Sequence, residues 1–173
     1  MNTKKLTQLA MLTGVALIIF VIELQIPNPF PIPGVKLGLA NIITVYAVYR
    51  YRAKEVMMIV FCRIVLAAVF SGNMMALAYS FAGSILCLLG MFLVRKIIDR
   101  NHIWIASVFG AILHNIGQMM VAIVVMGMGV SVYLPFLLVS GSFAGAFTGG
   151  CAQLIIHRIA GTDIREVLDG KKL

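Results

Sequence analysis

The hydrophobic residues of this chain form six long stretches that are separated by short polar segments. They do not alternate with polar residues at every second position, as the strands of a membrane β-barrel do. Inside a bilayer the backbone amides need hydrogen-bond partners within the protein, and a helix supplies them locally. The pattern predicts an all-α, polytopic membrane protein, a single domain over residues 1–173, with six transmembrane helices at residues 6–25, 37–49, 56–70, 75–94, 103–126 and 132–156.

The second hydrophobic stretch is the least regular of the six. Residues 37–49 are fewer than the roughly 17–25 residues that a membrane-spanning helix needs. Residues 27–34, just before it, hold four of the chain's five prolines, which exclude a regular helix there. Two interpretations stay open: the second helix begins inside this proline-rich loop, or it enters the membrane obliquely. After the last stretch, residues 158–173 form a polar tail, for which we predict a short surface helix.

The composition agrees with a membrane location. The chain is 61% hydrophobic and 12% charged, with a mean hydropathy of +1.02. A soluble domain is about half apolar and about one quarter charged. A chain of this length cannot hide so much apolar surface in a core, so the excess must face the lipid bilayer. The cysteines Cys62, Cys87 and Cys151 lie in apolar stretches without metal-ligand spacing, which is typical of small core residues.

The charges give the predicted helices a direction. Basic residues outnumber acidic ones by 14 to 6, and most of them lie before the first stretch, after the sixth, and in every second connection between stretches. These residues are Lys4, Lys5, Arg50, Arg52, Lys54, Arg95, Lys96, Arg100, Arg158, Arg165, Lys171 and Lys172. Cytoplasmic loops carry such an excess. We predict a multi-pass protein of the cell membrane with both termini in the cytoplasm, and no nucleic-acid partner.

The sequence offers little for catalysis. A phosphate-binding loop of the Gly-x-x-x-x-Gly-Lys-Ser/Thr type is missing. No two of the three aspartates are adjacent, so an Asp-rich magnesium site is missing too. Hard metal ions need several acidic ligands, and only Glu23 is near membrane depth. We therefore expect no catalytic residues, no metal, no cofactor and no enzymatic activity.

Several polar residues lie at membrane depth and mark a candidate binding site. By helical rise Arg63 is roughly 10–12 Å from the cytoplasmic face and His114 roughly 16–18 Å. Buried ionisable residues in membrane helices often mark a site or a pathway. We predict a cavity that opens outward under the proline-rich loop, with the substrate-binding residues Glu23, Lys36, Asn41, Arg63, His114, Asn115 and Gln118.

Each of these residues also has a simpler interpretation. Arg63 could extend to the cytoplasmic headgroups, and His114 could be a hydrogen-bond partner between helices. Glu23 could be solvated at the membrane interface. Lys36 could pair with Glu23 or meet an anionic ligand. The sequence leaves these alternatives open.

Small residues recur at four-residue spacing in two helices. In the sixth stretch Gly141, Gly145 and Gly149 favour close packing of helices. In the first stretch Ala10 and Gly14 form a similar pair, which could pack internally or form the interface for another membrane subunit.

Two short motifs and the helix pattern resemble a known family. The residues are Lys-Leu-Gly-Leu-Ala-Asn at 36–41, His-Asn-Ile-Gly-Gln at 114–118, and the glycine-rich sixth helix. Over nearly its whole length the chain resembles the substrate-binding S components of energy-coupling factor (ECF) transporters. More narrowly, it resembles the Gx transporter family, which is also labelled heptaprenyl diphosphate synthase component I.

The resemblance implies an ECF S-component-like bundle that takes up a vitamin-like molecule from outside. Its partners would be a membrane coupling subunit, which contacts Ala10 and Gly14, and two ATP-binding subunits. The synthase label conflicts with the sequence, because a prenyl synthase needs carboxylates that hold magnesium and diphosphate, and this chain lacks them. The label still suggests a link to isoprenoids or quinones. The ligand would be a vitamin, a flavin or a quinone precursor. The alternative is a non-transporting quinone- or isoprenoid-binding subunit of a redox or prenyl diphosphate synthase complex.

Overall fold

The computed structural model describes residues 3–25, 38–72, 74–98 and 102–168. Within these ranges the chain forms α-helices and short turns, and no strand. The helices are α1 (Thr3–Gln25), α2 (Asn41–Arg50), α3 (Ala53–Ser71), α4 (Met74–Val94), α5 (Ile103–Met126) and α6 (Leu134–Leu168). A 3₁₀ segment, Met128–Tyr133, leads into α6. The prediction of an all-α protein is confirmed for the described residues.

Among the described residues, four segments are long and apolar enough to cross a membrane: Thr3–Glu23, Leu77–Val94, Ile103–Met126 and Met128–Ile159. Large apolar side chains cover the outside of these helices, as expected for contact with lipid. The chain is therefore a multi-pass membrane protein. Four of the six predicted spans are therefore confirmed as helices that could cross a membrane.

The second and third predicted spans differ for separate reasons. Helix α2 has 10 residues and extends for about 15 Å, half of the roughly 30 Å hydrocarbon core. Helix α3 has 19 residues, but its charged residues Lys54, Glu55 and Arg63 lower its hydropathy. The proline-rich loop lies outside the described residues.

Helix α6 is longer than the sixth hydrophobic stretch. Its second residue is Pro135, which is tolerated because the first N–H groups of a helix have no acceptor within it. No proline follows, and the helix continues through Ile156 to Leu168. The separate tail helix that the sequence predicts is therefore, up to Leu168, a continuation of α6.

Glycines bring α4, α5 and α6 into close contact. A Cβ atom on Gly117 of α5 would lie 2.8 Å from the carbonyl oxygen of Ala82 in α4. A Cβ atom on Gly145 of α6 would lie 2.9 Å from the Cα atom of Val108 in α5, and one on Gly149 would lie 2.6 Å from the Cα atom of Trp104. Since real Cβ atoms do not come so close, only glycine permits these contacts. The packing predicted for the glycines of the sixth stretch is confirmed.

The larger of two apolar clusters among the described residues lies towards one end of the bundle, where α2 and α4 end and α3 and α5 begin. Val45, Val48, Val56 and Ile103 are fully buried there. We call this the basic end, because Lys5, Arg50, Arg52 and Arg95 meet around it. The charge pattern along the sequence predicted that these four residues share a side, and the fold confirms it.

Candidate functional site

A cavity of about 110 Å³ lies among all six helices. Its apolar walls include Phe20 of α1, Ile64 of α3 and Met91 of α4. Polar side chains line the rest: Asn41, Arg63, Ser80, Ser107, His114, Asn115, Gln118 and Thr148. Five of the seven residues predicted to bind substrate therefore lie around one cavity. Ligand binding by them stays a prediction.

Arg63 extends into the bundle. Its Nη1 atom is 3.5 Å from the Oδ1 atom of Asn41, so the guanidinium donates to the first residue of α2. The interpretation that Arg63 extends to the cytoplasmic headgroups is therefore wrong. Among the described lining residues Arg63 is the one lysine or arginine, and Asn41 offers it a neutral amide oxygen.

Glu23 lies at the end of α1, next to the turn that precedes α2. Its side chain is buried, with 8% exposed, and its Oε1 atom accepts a hydrogen bond of 2.5 Å from the backbone N–H of Gly38. Gly38 has a φ of +69°, a left-handed conformation that favours glycine. Glu23 is absent from the described cavity lining, and it is not solvated at an interface. Its carboxylate ties the end of α1 to the turn before α2, a charge-assisted bond that is stronger than a neutral one.

Lys36 lies outside the described residues, and so does its suggested pairing with Glu23.

The polar face of α5 is held by close contacts with both neighbouring helices. The Nδ2 atom of Asn115 donates to the carbonyl oxygen of Leu137 in α6 at 2.5 Å, in the space left by Gly141. His114 and Gln118, one turn apart, pack against Gly83 of α4. Asn115 therefore joins α5 to α6 as well as lining the cavity.

Three hydroxyl residues of the cavity escaped the sequence analysis: Ser80, Ser107 and Thr148. The Oγ atom of Ser107 is 3.3 Å from the Oγ1 atom of Thr148, and both residues are buried. A single Ser or Thr is unremarkable in an apolar helix. The spacing of Ser107, Ala111 and Asn115, four residues apart on one helical face, was the signal that could have found Ser107.

The small residues of α1 point away from the bundle. Ala10 is exposed, and a Cβ atom on Gly14 would meet no atom within 4 Å. Internal packing by this pair, one of the two alternatives, is therefore wrong for the described chain. Its use as an interface for another subunit stays a prediction.

The side chains around the cavity can bind a polar ligand. Within the described ranges no group of three or more His, Cys, Asp or Glu residues comes together. Amides, hydroxyls, an imidazole and one guanidinium can hydrogen-bond a polar ligand and balance one negative charge. The apolar walls can cover the rest of such a ligand.

Long apolar helices around a cavity lined by polar side chains define a multi-pass membrane protein with a candidate small-molecule site. The chain belongs to the family described as heptaprenyl diphosphate synthase component I, whose sequence model matches residues 12–155. The match includes all the cavity-lining residues named above and Gly14, but not Ala10. No curated protein and no solved structure matches the chain significantly.

Proposed function

We propose that this protein is the substrate-binding subunit of a membrane transport system, and that it binds a small, partly apolar molecule with a polar or anionic group. The observation that carries the proposal is the convergence of Asn41, Arg63, His114, Asn115 and Gln118 around one cavity in an otherwise apolar bundle. Polar groups inside membrane helices are costly, so their clustering favours a ligand that uses them.

The size of the cavity narrows the ligand class. Its volume of about 110 Å³ is of the order of the roughly 150 Å³ cavity that accommodates benzene in a protein interior. It therefore favours a ligand whose buried part is about one aromatic ring, such as a ring-containing vitamin or quinone precursor. A flavin would require the helices to separate.

The polar groups set the orientation of such a ligand. Arg63 would meet its carboxylate or carbonyl group, with Asn41 beside it. The ring would lie against Phe20, Ile64 and Met91.

The proposal includes a topology and partners. Helices α2 and α3 would complete a six-span bundle, and both termini would lie in the cytoplasm, as the basic residues favour. A separate coupling subunit in the membrane would contact the face of Ala10 and Gly14, and two ATP-binding subunits would supply the energy, as in ECF transporters. The protein would bind and release its ligand without catalysing a reaction.

The direct test is the identity of the retained small molecule. The full chain is purified in mild detergent, and the extract is analysed by mass spectrometry. We expect one retained compound, whose amount falls about ten-fold or more in Arg63→Gln, because a bond to a charged group is lost. Lys4→Gln, which removes an exposed cation far from the cavity, is the matched control.

Transport is tested separately by uptake of that compound in a deletion strain. Unchanged uptake, together with no ligand-dependent thermal shift for vitamins, flavins and quinone precursors, would refute the proposal.

One observation favours a second function. The family's description names a synthase component, which suits a non-transporting subunit that holds a quinone or an isoprenoid for a redox or prenyl-transfer complex. Co-purification separates the two functions. ATP-binding subunits in the complex support transport, whereas a prenyltransferase or redox partner without them supports the second function.

A further inference from the structure

A second cavity, of about 390 Å³, opens at the basic end of the bundle. Helix α2 runs from the first cavity at Asn41 to the second at Arg50, so the two cavities are separate. The second one lies between the start of α1, the turn from α2 to α3, and the residue that follows α4. Its charged lining residues are Lys5, Arg50, Arg52, Glu55 and Arg95.

This cavity has an excess of positive charge that its single carboxylate does not balance. Glu55 is fully engaged: its Oε1 atom is 2.5 Å from the Nζ atom of Lys5, and its Oε2 atom accepts the backbone N–H of Arg52 at 3.0 Å. Among the described residues, no other carboxylate pairs with the guanidinium groups of Arg50, Arg52 and Arg95. Three guanidinium charges therefore face one cavity.

The fold holds one of the three guanidiniums in place. Arg95 follows the last residue of α4, and its Nη1 atom donates to the carbonyl oxygens of Val48 and Tyr51. This fixes Arg95 against the turn that carries Arg50 and Arg52, whose side chains are exposed. A preformed guanidinium loses little entropy when it binds an anion, and its planar fork matches the oxygens of a phosphate group.

The position of the cavity indicates where its ligand comes from. It lies where the apolar segments of α1 and α4 end, so in a bilayer it would be near the lipid headgroups, and Tyr46 and Tyr51 are in its wall. Tyrosines are enriched at this level, and basic pockets between membrane helices bind anionic headgroups. We propose that this cavity binds a phosphate group at the membrane surface, carried either by an anionic phospholipid or by free inorganic phosphate.

The competing explanation is that these cations only orient the chain in the membrane. Lys54 separates the two explanations. It is an exposed cation in the first turn of α3, close in sequence to Arg50 and Arg52, but it does not line the cavity. If the cations only orient the chain, then Lys54, Arg50 and Arg52 should matter equally. If the cavity binds phosphate, then Arg50 and Arg52 should matter and Lys54 should not.

The test uses the full chain in nanodiscs of phosphatidylcholine with increasing fractions of phosphatidylglycerol, and bound lipid is counted by native mass spectrometry. We expect preferential binding of phosphatidylglycerol, about five-fold weaker for each guanidinium removed, in Arg50→Gln, Arg52→Gln and the double variant. Lys54→Gln should bind like the unaltered protein. Glu55→Gln should bind more tightly, because it releases Lys5 from its ion pair.

A second arm adds inorganic phosphate to nanodiscs that contain phosphatidylcholine alone. The phosphate site is supported, with free phosphate as its ligand, if phosphate raises the melting temperature of Lys54→Gln but not that of the double variant Arg50→Gln with Arg52→Gln. Lipid preference without this shift supports the site with a phospholipid as its ligand. If Lys54→Gln weakens binding as much as the arginine variants do, or if neither probe binds, the proposal is wrong.

Discussion

The close contact between α4 and α5 can be tested by adding a single methyl group. In Gly117→Ala the new Cβ atom would lie 2.8 Å from the carbonyl oxygen of Ala82 and 2.8 Å from the Cα atom of Gly83. Both are backbone atoms, so no side-chain rotation relieves the overlap. The helices must separate by about 0.6 Å to reach 3.4 Å, where ordinary contact begins.

The magnitude follows from comparing three glycines in helix interiors. Gly14→Ala meets no atom within 4 Å, and Gly110→Ala meets the side chains of Met91 and Cys87, of which the methionine is flexible. All three substitutions gain the same helix propensity, so this gain cancels in the comparison. Overpacking costs about 1–3 kcal/mol. We expect Gly117→Ala to be less stable than Gly14→Ala by about this amount, with Gly110→Ala in between.

The assay is thermal unfolding in detergent, followed by circular dichroism at 222 nm. For a chain of this length 1 kcal/mol corresponds to about 2–4 °C, so the melting temperatures should fall in the order Gly14→Ala, Gly110→Ala, Gly117→Ala. If Gly117→Ala melts at or above the temperature of Gly14→Ala, the close approach of α4 and α5 is not real.

Three further predictions concern single side chains. Glu23→Gln exchanges the charged acceptor of the Gly38 N–H for a neutral one, and should speed hydrogen exchange at that amide, with Gln25→Glu as a control at an exposed site. Asn115→Ala removes the bond from α5 to a carbonyl of α6, and should lower the melting temperature by about 2–6 °C; an unchanged value would contradict the bond. Lys5 and the backbone of Arg52 hold the pKa of the Glu55 carboxyl below its ordinary value. The ion pair therefore stabilises the fold at any pH above the ordinary pKa of a glutamate carboxyl. This stabilisation is lost as the pH falls through the lowered pKa of Glu55. The melting temperatures of the unaltered protein and Glu55→Gln should converge in acid, and parallel curves would contradict this.

The sequence predicted the helices well where long apolar runs determine them. Helix α5 has the predicted bounds, and α4 begins one residue earlier. The sequence could not place the start of α2, because the turn at Gly38 depends on a carboxylate 15 residues away in α1. It also could not place the end of α6. The apolar pattern marks only the part of a helix that contacts lipid, whereas α6 continues beyond that part to Leu168.

The candidate site was predicted from the depth of each polar residue in the membrane. Depth alone does not say which way a side chain points. It grouped Asn41, Arg63, His114, Asn115 and Gln118 correctly, since a polar side chain inside a bilayer turns towards other polar groups. It could not foresee the hydrogen bond of Glu23, because the partner is a backbone amide that has no signature in the sequence. It missed Ser80, Ser107 and Thr148, because hydroxyl groups are common in apolar helices.

The bond between Glu23 and Gly38 has a thermodynamic consequence. Helix α1 presents Ala10 and Gly14 on its outer side, while its far end holds the turn at Gly38, which lines the cavity. A single helix therefore carries the outer surface of Ala10 and Gly14 and is also bonded to the turn that lines the cavity. Any change in ligand affinity that a partner on α1 causes must be matched by an equal change in that partner's affinity when the ligand binds. The occupied and empty forms would then be distinguished from outside the cavity, by a subunit that never touches the ligand.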